Sequence, residues 1–195
     1  MKNFSHNHLI ETKLIIDKLN VEKIEKIAAI IQKVKRSSGR IFFVGVGGSA
    51  ANASHAVNDF RKIAGIECYS PSDNVSELTA RINDEGWDSV YLNWLKTSNL
   101  NSKDLIFVFS VGGGNLKKKV SVNIVKALIY AKSKKTKITG IVSRDGGYTA
   151  KIADCCLIIP IVNKNSITPH AEAFQGIIWH LLVSHPKIKK HKTKW

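Results

Sequence analysis

Apolar residues recur every three or four positions between Leu9 and Lys35, at Ile15, Leu19, Ile24, Ile27, Ile31 and Val34, with an interruption near Asn20. That spacing collects them on one helical face and predicts two amphipathic helices in succession. The pattern then changes. After Gly39 the β-rich run Arg40-Ile-Phe-Phe-Val44 enters a glycine loop, and a helical pattern follows. The same alternation returns with Leu105-Ile-Phe-Val-Phe109, Gly112-Gly113-Gly114 and a helix expected from about Leu116 to Ser133. Two more apolar runs, Ile138 to Val142 and Cys156 to Ile161, precede a closing helix near His170 to Ser184. Strands alternating with helices at these lengths predict an α/β fold, a parallel sheet covered by helices on both faces. Ligands of such sheets bind where the loops gather at the carboxyl ends of the strands. Both glycine loops therefore point toward one site.

Composition narrows the setting. A chain of 195 residues, 44% of them hydrophobic, can bury one full core and fits a single domain spanning 1–195. No run approaches the roughly 18 apolar residues needed to span a bilayer, and the start lacks a secretory apolar stretch, so a cytoplasmic location is expected. Cys155 and Cys156 are adjacent and Cys68 is distant, which suggests reduced, buried side chains and neither a disulfide framework nor a CxxC metal site. The formal charge of +15 attracts anions of any kind. Its lysine stretches, Lys117 to Lys119, Lys132 to Lys137 and Lys187 to Lys194, have little aromatic interleaving, which favours solvated surface over a nucleic-acid site.

The first loop, Gly45-Val46-Gly47-Gly48-Ser49-Ala50-Ala51-Asn52, joins a strand to a helix. Bare amides and a positive helix end suit it to an anion. It also fits the loose dinucleotide pattern G-x-G-x-x-A, and a ligand-free tight turn is the plainer reading. His55 and Asp59, four apart, share a helix face just beyond it, the spacing of paired metal ligands or of an acid/base pair. The second loop, Ser110-Val111-Gly112-Gly113-Gly114-Asn115, could form another nest of amides for phosphate or be a flexible turn. Glu172 and His180 are eight residues apart, about 12 Å along a helix and 80° around it, so a continuous helix can hardly aim both at one metal in one chain. His170 and His185, each beside a proline, read as structural or exposed.

Taken in order, Gly47-Gly48-Ser49, His55, Asp59, Asn83-Asp84, the Ser110 loop, Arg144-Asp145-Gly146-Gly147, Glu172 and His180 resemble the sugar isomerase (SIS) family, specifically its phosphoheptose isomerases. The resemblance implies a three-layer αβα sandwich with a five-stranded parallel sheet. It also implies leading helices, here within 1–38, that build a homotetramer with active sites between subunits. Residue by residue, it makes Asp59 and His180 catalytic and His55, Asp59, Glu172 and His180 candidate zinc ligands. Gly47, Gly48, Ser49, Asn52, Asp84, Ser110, Gly112, Gly113 and Asn115 would contact substrate and phosphate. Three positions depart from the family: Asp59 replaces a glutamate, Glu172 a glutamine, and the serine-rich loop has become Ser110-Val-Gly-Gly-Gly-Asn115.

The implied reaction converts sedoheptulose 7-phosphate to D-glycero-D-manno-heptose 7-phosphate, for heptose biosynthesis of surface polysaccharide. It needs a base, an acid and oxyanion stabilisation but no nicotinamide or flavin. The alternatives are a non-catalytic SIS adaptor, favoured by the basic charge and the altered loop, and a dinucleotide-binding oxidoreductase, which leaves the second loop and last helix without a role.

Overall fold

In the computed structural model, which describes residues 3–193, an asparagine side chain starts each of the first two helices. Asn3 Oδ1 accepts the His6 N–H at the head of α1 (Phe4–Lys18), and Asn20 Oδ1 accepts the Lys23 N–H at 2.9 Å at the head of α2 (Val21–Arg36). Such caps satisfy amides that the helix itself leaves unpaired, and they set the break near Asn20. α2 buries Ile24, Ile27, Ala28, Ile31 and Val34, whereas Ile15 is the one buried residue of α1. Lys194, at the end of the basic tail, lies outside the described residues, as do the extreme ends of the 1–195 and 1–38 spans.

The strands are β1 (Ile41–Val44), β2 (Cys68–Tyr69), β3 (Leu105–Ser110), β4 (Lys137–Val142) and β5 (Cys155–Ile158). All pair in parallel, in the order β2-β1-β3-β4-β5. Alternate side chains go to opposite faces. Phe43, Phe107, Phe109 and Leu157 pack under α2, α3 (Gly48–Asp59) and α8 (Ile167–Ser184). Phe42, Val44, Ile106 and Val108 pack under α5 (Val90–Thr97) and α6 (Val122–Ser133). The remaining helices are α4 (Val75–Glu85) and α7 (Gly147–Ile152). Strand order reverses between β1 and β3, the point where an open α/β sheet opens a crevice for ligands. The first glycine loop leaves β1 and the second leaves β3, so the two flank that reversal.

Three expectations need correction. The helix after the second loop starts at Val122, because Asn115 and Val120 close a short antiparallel bridge and Lys119 and Ser121 take left-handed φ values of 51° and 48°. Lys117 is thus in a turn. The last strand stops at Ile158, two residues before Pro160, which has no N–H to give a ladder. His170 lies inside the closing helix, which starts at Ile167 and accommodates Pro169 in its first turn. All three cysteines are free and buried. Among the described residues no helix is long and apolar enough to cross a membrane.

Candidate active site

The first loop is built to bring backbone close to its neighbours. A Cβ on Gly45 would lie 2.4 Å from the Ser49 carbonyl oxygen, and Gly47 takes a φ of +64°. Beneath the loop, the buried Tyr91 hydroxyl donates to the Gly45 carbonyl, and burial pushes its pKa up to about 12, so it stays a neutral donor. Gly47 and Gly48 face solvent at the amino end of α3.

Glu172 reaches this loop from α8. Ser49 Oγ donates to Glu172 Oε1 at 3.3 Å, and a Cβ on Gly48 would lie 2.4 Å from Glu172 Oε2. A carboxylate therefore already sits against the positive end of α3, a favourable place for negative charge. Asn52 is turned the same way: its Nδ2 donates to the Glu172 carbonyl at 3.0 Å and to Gln175 Oε1 at 3.1 Å. Both residues join α3 to α8.

Two helical turns along, His55 and Asp59 on α3 meet His180 on α8, with one ligand atom from each lying within 4.8 Å of the others. Asp59 is 5% exposed and accepts from Asn58 Nδ2 at 2.8 Å, while both imidazoles are exposed. The His55 and His180 rings stand edge to face, 5.4 Å apart, and the buried Trp179 contacts both. His180 Nδ1 lies 2.7 Å from the Gly176 carbonyl. A carbonyl can only accept, so Nδ1 carries the proton and Nε2 keeps a free lone pair, the arrangement that orients a metal ligand or a base. After Asp59 the chain passes into a π-helical turn over 60–64, a distortion often found at functional positions. Glu172 stands outside this group, as its eight-residue separation from His180 on an unbroken helix predicts.

The second loop is packed backbone to backbone rather than left flexible. Ser110 Oγ accepts the Gly113 N–H at 3.0 Å, the Gly113 carbonyl accepts from Thr149, and the Gly114 carbonyl accepts from Tyr148 at the start of α7. A Cβ on Gly113 would lie 1.9 Å from the Gly146 oxygen, so that position admits no side chain. Asn115 Oδ1 accepts the Lys118 N–H at 3.0 Å. Beside the loop is a pocket of about 320 Å³ lined in part by Lys117, Lys151, Asp145 and Tyr148. Arg144, exposed and held at a φ of 53°, has its Cδ 3.9 Å from the place a Cβ of Gly112 would take. These cations were not assigned from sequence. The Arg144-Asp145-Gly146-Gly147 run was the available signal. Asp84 is exposed on α4 with Asn83 as its hydrogen-bond partner, and among the described residues no contact joins it to either loop.

Known proteins supply the remaining comparison. The SIS domain model matches residues 9–143. The phosphoheptose isomerase of Sulfurimonas denitrificans is 32% identical over 167 residues, 83% of this chain and 80% of the relative. Among solved structures, phosphoheptose isomerases from Neisseria gonorrhoeae and Francisella tularensis superpose with TM-scores of 0.79 and 0.78 at 22% and 19% identity. The alignments cover 92% of this chain in each case, with 94% and 92% of those chains. A shared sheet order alone would leave many functions open, but a family model over most of the chain and a relative this similar do not: the chain belongs to the SIS domain family.

Proposed function

We propose that this chain is a ketose–aldose isomerase acting on a sugar phosphate, with sedoheptulose 7-phosphate as substrate and D-glycero-D-manno-heptose 7-phosphate as product. The observation that carries it is the meeting of His55, Asp59 and His180 from two helices, beside a solvent-facing glycine loop at the strand-order reversal. The name shared by its relatives supports the substrate.

In this reading His180 Nε2 removes the proton from C1 of the ketose and returns it to C2, and Asp59 moves the hydroxyl proton between O1 and O2. The two transfers balance, with the enediol as intermediate and no net redox change. Of this group, His55 and Asp59 would hold zinc, since an imidazole and a carboxylate are among its ordinary ligands, which leaves the His180 Nε2 lone pair free as the base. When bound, that ion would polarise the substrate carbonyl. Glu172, Ser49 and the Gly47–Gly48 amides bind sugar hydroxyls, because a carboxylate already resting at the head of α3 repels a phosphate there. Phosphate goes to the second loop, where the Ser110 hydroxyl, which accepts from Gly113 and can still donate, and the Gly112 amide are joined by the Arg144 cation. Asn52 positions α3 on α8, Asn115 lines the pocket beside the second loop, and Asp84 takes no part in the site within one chain. The protein works in the cytoplasm as a homotetramer of single-domain chains whose leading helices form the contacts.

The deciding experiment offers the purified protein a panel of ketose phosphates, with and without zinc, and follows aldose formation by NMR. Sedoheptulose 7-phosphate should be converted. Binding of the sugar phosphate without turnover under either condition would favour the non-catalytic adaptor, and neither binding nor turnover would overturn the reading.

A further inference from the structure

A second histidine and carboxylate group lies away from the one just described. His8 and Glu11, three apart on α1, face His170 on α8, and one ligand atom from each lies within 4.8 Å of the others. His170 Nε2 is 2.8 Å from Glu11 Oε2, and the His8 and His170 rings stack 4.3 Å apart at 13°. Glu11 is further fixed by Asn163, whose Nδ2 donates to Oε1 at 2.6 Å. Hydrogen bonds from His170 and Asn163 hold the Glu11 carboxyl below its usual range, so it is ionised at neutral pH.

An ordinary helix-docking contact accounts poorly for His170. Its side chain is 4% exposed, and its Nδ1 is buried with no hydrogen-bond partner among the described residues. Leaving a buried polar atom unpaired is costly, and one contact with a partly exposed carboxylate offsets that only weakly. The group does have the composition of a metal site: two imidazoles, one carboxylate, and a neighbouring amide that orients the carboxylate. Tetrahedral zinc holds such ligands about 2.0–2.2 Å from the ion. That brings donor atoms to roughly 3.3 Å from one another by the same geometry, within reach of side-chain rotation here.

We propose that His8, Glu11 and His170 form a second divalent-metal site, of the zinc type, which fastens α1 to α8. The helix it fastens needs an anchor, since Ile15 is its only buried residue. Both α1 ligands are partly exposed, which leaves the ion an entry path and a coordination position for water. The inference is independent of the proposed isomerase chemistry, as none of the three residues belongs to that site.

Full-length protein stripped with chelator and dialysed against buffered zinc is assayed for metal per chain, beside His8→Ala, Glu11→Gln and the active-site pair His55→Ala/His180→Gln. His8→Ala and Glu11→Gln should each hold one ion fewer than wild type, and the active-site pair should keep an ion that His8→Ala then removes from it. Hydrogen exchange gives a second readout: chelator should speed exchange of α1 amides at least tenfold in wild type and leave His8→Ala unchanged. Equal zinc in wild type, His8→Ala and Glu11→Gln overturns the site, as does an active-site pair that binds none. Either result would leave isomerase activity to be judged by turnover alone.

Discussion

His180 is held from three directions: the Gly176 carbonyl fixes its Nδ1 proton, Trp179 stacks on it at 3.5 Å between ring centroids, and His55 meets it edge to face. A glutamine there keeps much of the volume and one hydrogen bond but cannot exchange protons near neutral pH. General acid/base groups contribute about 100- to 10,000-fold in rate, so His180→Gln should lose at least the lower figure in kcat. KM should change far less, because the proposed phosphate site is the second loop, away from His180. Steady-state kinetics on the ketose phosphate checks this, and wild-type turnover in the variant would remove His180 from the mechanism. The pairing of His55 with Asp59 was legible in the sequence as a four-residue interval on one helix. That His180 completes it was available only through family resemblance, since 121 positions of chain separate Asp59 from His180 and spacing says nothing across such a gap. His170 shows the limit more sharply: a proline beside it suggested a helix end, yet it is buried inside α8 against Glu11, 159 residues away in sequence.

Among elements, the second glycine loop and α7 act as one unit, because a Cβ on Gly113 would run into the Gly146 carbonyl and a Cβ on Gly147 into the carbonyls of Gly112 and Gly114. Gly113 combines a φ of +68° with a neighbour 1.9 Å from a would-be Cβ, and both conditions disfavour alanine. Gly113→Ala should therefore destabilise the fold by about 2 kcal/mol or more and loosen phosphate binding, read as a lower denaturation midpoint and a raised KM. An unchanged midpoint would show that the loop is mobile after all. This rigidity was not legible beforehand, since three consecutive glycines read equally well as a flexible turn. The strands β1, β3 and β4 were legible because they are buried on both faces and so read as unbroken apolar runs. β2 was not, being only Cys68 and Tyr69. The start of α6 was misread for another reason: Leu116 to Lys119 have good helix propensity, but the bridge between Asn115 and Val120 commits them to a turn.

For the whole molecule, exposed apolar surface gathers where the proposed assembly needs it. On α1, Phe4, Leu9, Ile10, Leu14 and Ile16 are exposed, and on α8 Ile177 and Leu181 flank His180. A scattering of exposed aliphatic residues needs no explanation, but rows of them on two helices mark an interaction face. The imidazoles of His55 and His180 are also open to water on the isolated chain, whereas proton transfer at carbon gains from a site that excludes it. A neighbouring subunit packed over α1 and α8 would meet both needs, with closed symmetry of the kind common in homo-oligomers. Each aliphatic side chain so covered, about half exposed beforehand, contributes roughly 1 kcal/mol, and symmetry repeats the gain at every copy. A single buried charge should be enough to reverse it. Wild-type protein at micromolar concentration should sediment as a tetramer, and Ile177→Glu should shift it to smaller species while the far-ultraviolet circular dichroism is retained. Turnover should fall along with assembly and recover in part at high protein concentration, because the defect is in association rather than chemistry. A wild-type monomer with full activity would mean that His55, Asp59 and His180 work without a neighbour and that the apolar rows on α1 and α8 serve another partner.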